Sequence, residues 1–310
     1  MELLIQPSDG ITPIINAIKK AKTSVELTIF RFDMPELQKA LEQAVARGVK
    51  VHALIAHQAA GEGKQLRKLE LELLNCGVTV SRTADDLVRY HNKLLIIDRE
   101  VLYALAFNWC KLDINKSRSL GVVTKHPRFV QEAIKLFEAD ATRQPYAAGY
   151  ESFLVSPENA RAGLAKFIKS AKKELLIYEM KISDKQMISL LKERAKAGVE
   201  IRIIGKMSKK AEELRIDKMP GMRLHLRAIL CDGQELFIGT QSMRALELDK
   251  RREVGVIIGD RPSAKCFREL FEEDWANTGL GKEERKAAEK EKEKDKDEKD
   301  KEKEKELAAS

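Results

Sequence analysis

Five histidines occur in the 310-residue chain, and two of them stand in the same short string. Tyr90-His91-Asn92-Lys93-Leu94-Leu95-Ile96-Ile97-Asp98 and Leu224-His225-Leu226-Arg227-Ala228-Ile229-Leu230-Cys231-Asp232 both read His-x-(Lys/Arg)-x4-Asp. With so few histidines, two such strings at matching positions arise by chance on the order of one time in a thousand. In an extended segment residues i and i+2 face the same way, so His91 and Lys93 are expected to project together, as are His225 and Arg227. An imidazole beside a fixed cation suits a phosphate. The cation holds the anionic oxygens, and the imidazole is a nucleophile or proton carrier near neutral pH. Asp98 and Asp232 fall where these strands would end, where a carboxylate can anchor local backbone. One string alone is more often a buried strand that happens to carry a histidine; the matched pair favours chemistry.

The elements that must position these strings alternate between strand and helix. Val25–Phe30 is strand-like, Pro35–Arg47 has helical spacing (Leu37, Leu41, Ala44, Val45) and stops at Gly48, and Val49–Ile55 is again strand-like. The same grammar recurs 150 residues later. Leu3–Pro7 is echoed by Phe153–Pro157, Ile18–Lys22 by Ile168–Lys172, and Ala46–Val51 by Lys196–Ile201. Several echoes in order at one offset indicate an internal duplication. The expected fold is α/β, with two β-sheets flanked by helices and related by a pseudo-two-fold. The expected division is a first repeat over 1–150, a second over 151–280 and a tail over 281–310. An insert around Gln58–Asn75 reads as a further helix of the first repeat. The tail from Lys282 to Glu306 is a Lys/Glu/Asp polyampholyte without an apolar face, so it is expected to be disordered or a lone charged helix.

Composition narrows the classes. The net charge of +8 does not come from the tail, where residues 281–310 hold 11 basic and 12 acidic side chains; the remainder carries +9. A basic body favours an anionic partner such as a phosphodiester, a nucleic acid or an anionic lipid surface. The four cysteines (Cys76, Cys110, Cys231, Cys266) are far apart and form no CxxC pair, so neither a zinc site nor a disulfide framework is expected. Apolar runs are strand-sized, well short of the ~18 residues of a membrane span. The start, Met1–Pro7, lacks the basic n-region of a signal peptide. A cytoplasmic protein, in peripheral contact with membranes at most, is the expectation.

On its two strings the chain resembles the phospholipase D superfamily, whose hallmark is a pair of HxKxxxxD motifs. The resemblance covers roughly residues 3 to 277 and extends past the motifs. That family continues with a Gly-Ser-x-Asn element and then a Glu or Gln before a strand. Here Gly239-Thr240-Gln241-Ser242 and Arg252-Glu253-Val254-Gly255-Val256 match in the second half, with Ser242 in place of Asn. In the first half Leu105-Ala106-Phe107-Asn108 keeps only the Asn, and Ser119 stands in Arg118-Ser119-Leu120-Gly121-Val122 where the carboxylate would be. Arg227 replaces the second lysine. The resemblance implies that both histidines meet across one cleft and act without a metal or other cofactor, through a phosphohistidine. Lys93 and Arg227 would neutralise phosphoryl oxygens, Asn108 and Ser242 would hydrogen-bond to the developing charge, and Asp98 and Asp232, as members of the two motifs, would count with the catalytic residues. In that family the downstream carboxylate orients the histidine of the opposite half. Glu253 would then hold His91 as nucleophile, while Ser119 leaves His225, the general acid, more weakly held; the reverse assignment stays open.

The remaining residues are expected to be structural. His52 and His57 lie on or just past a strand, His126 in a loop, and Trp109 in packing. Asp113 and Glu247 read as surface or capping residues. Three functions fit: a phospholipase D-type lipid phosphodiesterase or phosphatidyltransferase, a nuclease of the same superfamily, or a protein that only binds phosphate. The 5% aromatic content argues mildly against base stacking, and the basic body mildly for polyanions.

Overall fold

A computed structural model describes residues 1–57, 63–208 and 211–291. The first repeat runs β1 (Glu2–Gln6), α1 (Thr12–Lys20), β2 (Ser24–Ile29), α2 (Pro35–Ala46), β3 (Lys50–Ile55), α3 (Gly63–Asn75), β4 (Thr79–Arg82), β5 (Arg89–Tyr90), β6 (Leu94–Ile97), β7 (Val101–Leu105), α4 (Lys111–Lys116), β8 (Ser117–Thr124) and α5 (Pro127–Thr142). The second repeats the order without a counterpart of α3: β9 (Phe153–Ser156), α6 (Ala160–Ser170), β10 (Glu174–Ile182), α7 (Lys185–Lys196), β11 (Glu200–Met207), β12 (Arg215–Asp217), β13 (Arg223–Leu224), β14 (Arg227–Cys231), β15 (Glu235–Gly239), α8 (Ala245–Asp249), β16 (Arg251–Ile258) and α9 (Arg261–Ala276). The helix expected in the insert is α3; residues 58–62 of that insert lie outside the described residues.

Each repeat builds a mixed sheet. The first has the order β1-β8-β7-β6-β2-β3-β4 and the second β9-β16-β15-β14-β10-β11-β12. The sheets exchange a strand: β13 pairs with β8, and β5 pairs with β16. The apolar runs read in the sequence are buried on both faces, as expected of strands covered by helices. Leu94 and Ile96 enter a central core shared by the two repeats, whereas Leu95 and Ile97 enter the outer core under α1 and α2. Ala228 and Leu230 join the same central core, and Ile229 and Cys231 an outer one under α6 and α7. Helices α5 and α9 pack into the central layer through Phe129, Leu136 and Phe137 and through Phe267, Phe271 and Trp275.

Two buried ion pairs cross between the repeats at matching positions. Arg118 grips Asp274 of α9 with Nε at 2.8 Å and Nη2 at 2.9 Å. Arg252 meets Asp140 of α5 at 3.1 Å and Glu158 at 2.6 Å. Removing one partner of such a pair strands a buried charge and costs about 3–5 kcal/mol. Arg118 and Arg252, 134 residues apart like His91 and His225, thus mark a structural tie.

The expected strand over His91–Asp98 is interrupted. Residues 91–93 lie between strands, and only Leu94–Ile97 pair as β6. The reason is the strand exchange: β5 belongs to the second sheet and β6 to the first, so the chain crosses between sheets at His91–Lys93. His225 and Leu226 make the reverse crossing from β13 to β14. Helical backbone continues over 279–291, where Glu284 accepts from Trp275 Nε1 at 3.1 Å and pairs with Arg215. The rest of the charged tail lies outside the described residues. Among those described, no helix is long and apolar enough to cross a membrane.

Candidate active site

The crossing segments deliver both histidines to the junction of the sheets, and the backbone fixes each in the same way. His91 N donates to Arg252 O at 2.8 Å, and His225 N donates to Arg118 O at 3.0 Å. Both side chains are largely buried, with 10% of the His91 side chain and 6% of that of His225 exposed. Each ring meets a carboxylate of the opposite repeat.

His91 Nδ1 lies 2.9 Å from Glu253 Oε2. An ionised carboxylate only accepts, so Nδ1 carries the proton and Nε2 is left with its lone pair. Lys93 Nζ sits 3.1 Å from that Nε2 and donates to His91 O at 2.5 Å. Although the intervening strand is broken, Lys93 and His91 do share a side, as their spacing suggested. Phe30 closes the other flank edge-on to the ring, with centroids 4.7 Å apart. Glu253 is fully buried in β16. The strand can bring it there because Gly255 and Gly239 are paired opposite one another; a Cβ on Gly255 would collide with the Phe237 ring.

Around His225 the arrangement differs. Ser119, in the position matching Glu253, donates its hydroxyl to His225 O at 2.8 Å and does not reach the ring. The ring Nδ1 lies instead 3.1 Å from Oδ2 of Asp113, at an angle too oblique for a straight hydrogen bond. Asp113 stands on α4 and is buried. Its Oδ2 also accepts from Asn108 N at 2.8 Å and Asn108 Nδ2 at 2.7 Å, and its Oδ1 accepts from Arg223 Nη1 at 2.6 Å. The reading of Asp113 as a surface residue is therefore wrong, as is that of Glu247 at the matching place on α8. Glu247 is buried and paired with Arg251 at 3.0 Å and Arg244 at 3.3 Å.

Arg227 leads β14 and donates Nε to Ser242 Oγ at 3.0 Å, and its buried Nη1 has no hydrogen-bond partner among the described residues. Glu179, cross-strand from Arg227 on β10, is buried and accepts from Met243 N at 3.0 Å and Lys181 N at 3.2 Å. Sequence reading missed both Glu179 and Asp113. Ser242 and Asn108, expected to face developing charge, serve Arg227 and Asp113 instead, although Asn108 Oδ1 is buried and unpartnered. Asp98 and Asp232 are not brought to the site. Asp98 accepts the backbone N–H groups of Lys22, Thr23 and Ser24, and Asp232 those of Lys172, Lys173 and Glu174. They lie a strand's length from the histidines, about 20 Å at 3.3 Å per residue. The other histidines are structural, with His52 Nε2 2.8 Å from Ser81 Oγ and His126 at the start of α5.

The electrostatics are those of one shared neighbourhood. Burial drives His91 down to about 3; Glu253 opposes this, while Lys93 and Arg227 add to it. Burial likewise lowers His225 to about 4, against Asp113 and with Arg227 and Lys93. Lys93 falls to about 7, by burial first and then by Arg227 and Arg89, although Glu253 and Asp113 pull it upward. Burial alone would raise Glu253 and Asp113. Glu253 is nonetheless held below the usual range by His91 and Lys93, and Asp113 far below it by His225, Asn108 and Arg223. Glu179 is raised to about 7 by burial, despite Arg227. Two neutral imidazoles and two cations thus converge, with carboxylates behind the rings. Such a set is suited to hold an anion, and each neutral imidazole carries one nitrogen lone pair.

A family model for cardiolipin synthase, PLD-like domain, matches the chain over residues 14–141 and 164–275. Mitochondrial cardiolipin hydrolase from Mus musculus is 28% identical over 130 residues, which are 42% of this chain and 57% of the hydrolase. The chain thus spans little more than half the length of that relative. Among solved structures, polyphosphate kinase from Porphyromonas gingivalis superposes with a TM-score of 0.73 at 18% identity, over 87% of this chain and 49% of the kinase. Phosphatidylserine synthase from Haemophilus influenzae Rd KW20 gives 0.68 at 10% identity, over 89% and 86%. At these identities the likeness to the solved structures is one of fold. The two segments matched by the family model take in both histidine strings and most of the folded repeats, and the chain belongs to the phospholipase D superfamily.

Proposed function

We propose that the chain is a phosphodiesterase of phospholipase D type that cleaves a phosphatidyl ester by way of a phosphohistidine. One observation carries this reading: two histidines from distant repeats, each backed by the other repeat's carboxylate, sit in the common field of Lys93 and Arg227. In the first step the His91 Nε2 lone pair forms a bond to phosphorus while the bond to the leaving oxygen breaks. His225 supplies the proton which that oxygen takes up. In the second step His225 removes a proton from water, the water oxygen bonds to phosphorus, and the electron pair of the P–N bond returns to His91. Lys93 and the unpartnered Arg227 Nη1 hold the phosphoryl oxygens, so the charge neutralisation is done by side chains and no metal is required. An anion between the rings raises both imidazoles from their low resting values, which lets His225 hold its proton in the complex.

The names of the family model and of the mouse relative support phospholipids as the first substrate class to test. The half-buried arginines Arg223 and Arg244, paired with Asp113 and Glu247, add positive charge beside the site and favour a nuclease as the second reading. The test is turnover in EDTA of cardiolipin and phosphatidylcholine vesicles, single-stranded DNA and an aryl phosphodiester, beside His91→Ala and His225→Ala. EDTA-resistant turnover of a lipid, lost about ten-thousandfold in His91→Ala, is expected. Turnover of DNA alone would replace the lipid by the nuclease. Binding without turnover of any of the four would reduce the site to a phosphate receptor.

A further inference from the structure

We propose that Asp113 is the positioning carboxylate of His225, a replacement recruited from α4 for the acidic residue missing at position 119. The inference rests on the reading of His225 as the acid and base of the reaction, and adds the residue that makes it one.

Positions related by 134 residues correspond around the site: His91 with His225, Lys93 with Arg227, Ser119 with Glu253, and Asp113 with Glu247. Glu253 reaches His91 directly from its strand. Ser119 cannot repeat this, because a hydroxymethyl group is two carbons shorter and its oxygen is spent on the His225 carbonyl. The corresponding acids on the two short helices then take different partners. Glu247 goes to Arg251 and Arg244. Asp113 goes to the ring, 3.1 Å from Nδ1.

Asp113 is also held as a positioning group should be. Three donors fix it independently of its contact with the ring: Arg223 on one oxygen, and the backbone and side-chain N–H groups of Asn108 on the other. Asn108 itself lies between β7 and β8, so the anchor of the second half's histidine belongs to the first repeat, just as Glu253 of the second repeat anchors His91. The reciprocity that the sequence loses at Ser119 is restored one element away. With a carboxylate at Nδ1, His225 presents Nε2 to the substrate, and the imidazolium it becomes on accepting a proton is stabilised.

A substrate whose leaving group needs no proton separates this role from a merely structural one. 4-Nitrophenolate departs unaided, so with bis(4-nitrophenyl) phosphate the first step does not depend on His225, whereas hydrolysis of the phosphohistidine still needs its base. In Asp113→Asn the first-turnover burst of nitrophenolate is expected within about threefold of that of the unsubstituted protein, and the steady-state rate about a hundredfold lower. Asp113→Glu, which keeps the charge, is expected to recover most of that rate. Burst and steady state falling by the same factor would make Asp113 structural only, and both unchanged would remove it from the mechanism. Two-bond 1H–15N spectra of the five histidines give a readout that needs no turnover. His225 is expected as the Nδ1–H tautomer in the unsubstituted protein and as the Nε2–H tautomer in Asp113→Asn; an unchanged tautomer overturns the proposal. A protein that turns over none of the substrates, yet switches tautomer, refutes the phosphodiesterase reading and leaves the Asp113 contact standing.

Discussion

The half-site around His91 and the half-site around His225 have the same backbone and different wiring. On the His91 side a fully buried glutamate from a central strand contacts the ring, its second oxygen has no hydrogen-bond partner among the described residues and lies 3.9 Å from Arg251 Nη1, and the cation is a lysine. On the His225 side an aspartate from a six-residue helix is shared among the ring, an arginine and an asparagine, and the cation is an arginine. What has been kept in both halves is the crossing of the chain between sheets and the backbone bond from histidine N–H to the arginine of the other repeat. What has drifted is the side-chain set attached to that frame. A duplicated site therefore constrains where a carboxylate must arrive more tightly than which element supplies it.

The sharpest way to break this comparison is to disable the carboxylate that the sequence does display. Glu253→Gln should place a donor against His91 Nδ1 and force the proton onto Nε2, the atom proposed to attack phosphorus. We expect the burst with bis(4-nitrophenyl) phosphate to slow by about a hundredfold to ten-thousandfold. The same measurement on Asp113→Asn is expected to leave the burst nearly intact. Equal losses of burst in the two variants would show that the half-sites are interchangeable and would cancel the assignment of His91 as nucleophile.

A second, smaller effect sharpens the contrast between the cations. Lys93 is pressed down to about 7 by burial, Arg227 and Arg89, whereas a guanidinium stays charged at any working pH. Loss of the lysine proton removes one of the two charges that greet the phosphate. Hence kcat/KM should fall as pH rises through about 7 in the free enzyme. Lys93→Arg should abolish that alkaline limb, while lowering the rate near neutrality about tenfold because the bulkier fork does not fit beside His91. An alkaline limb that persists in Lys93→Arg assigns the titration to another group.

Much of this frame is legible in the chain. The two strings, their common offset, the Arg118/Arg252 pair and Glu253 all announce themselves because repetition turns weak local signals into one strong signal. The departures come from non-local packing. Lys111-Leu112-Asp113-Ile114-Asn115-Lys116 has the polarity of a solvated turn, and nothing within it says that α4 is laid under β13 of the other repeat. The one clue is that Asp113 and Glu247 are both acidic at the motif's own offset. Glu179 carries no such clue, since its first-repeat counterpart is Ile29. The alternation argument for His91 and Lys93 gives the right proximity for an incomplete reason: strand pairing switches sheets between them, and only the three-dimensional strand order reveals it.

Asp98 and Asp232 define the region where the two repeats should be equal. Both lie in left-handed backbone, at φ 54° and 51°, and each gathers three consecutive backbone N–H groups that open the neighbouring strand. The final residue of each motif thus belongs to the scaffold, not to the chemistry. Replacing either by Ala leaves three N–H groups without their charged acceptor, and hydrogen bonds to a charged group contribute roughly 1.5–3 kcal/mol in favourable cases. We expect each variant to lose about 1–3 kcal/mol of stability by denaturant titration, the two losses agreeing within about 1 kcal/mol, with kcat unchanged. Asp98 sits below its ordinary value because those N–H groups and the Thr23 hydroxyl outweigh its burial. A carboxyl lowered by folding stabilises at pH values above its unfolded value and loses that contribution as pH falls through the folded one. The deficit of Asp98→Ala should therefore be full at neutral pH and shrink in acid. A loss of kcat matching that of the histidine variants would instead return Asp98 to the catalytic set and erase the division between the varied site and its invariant frame.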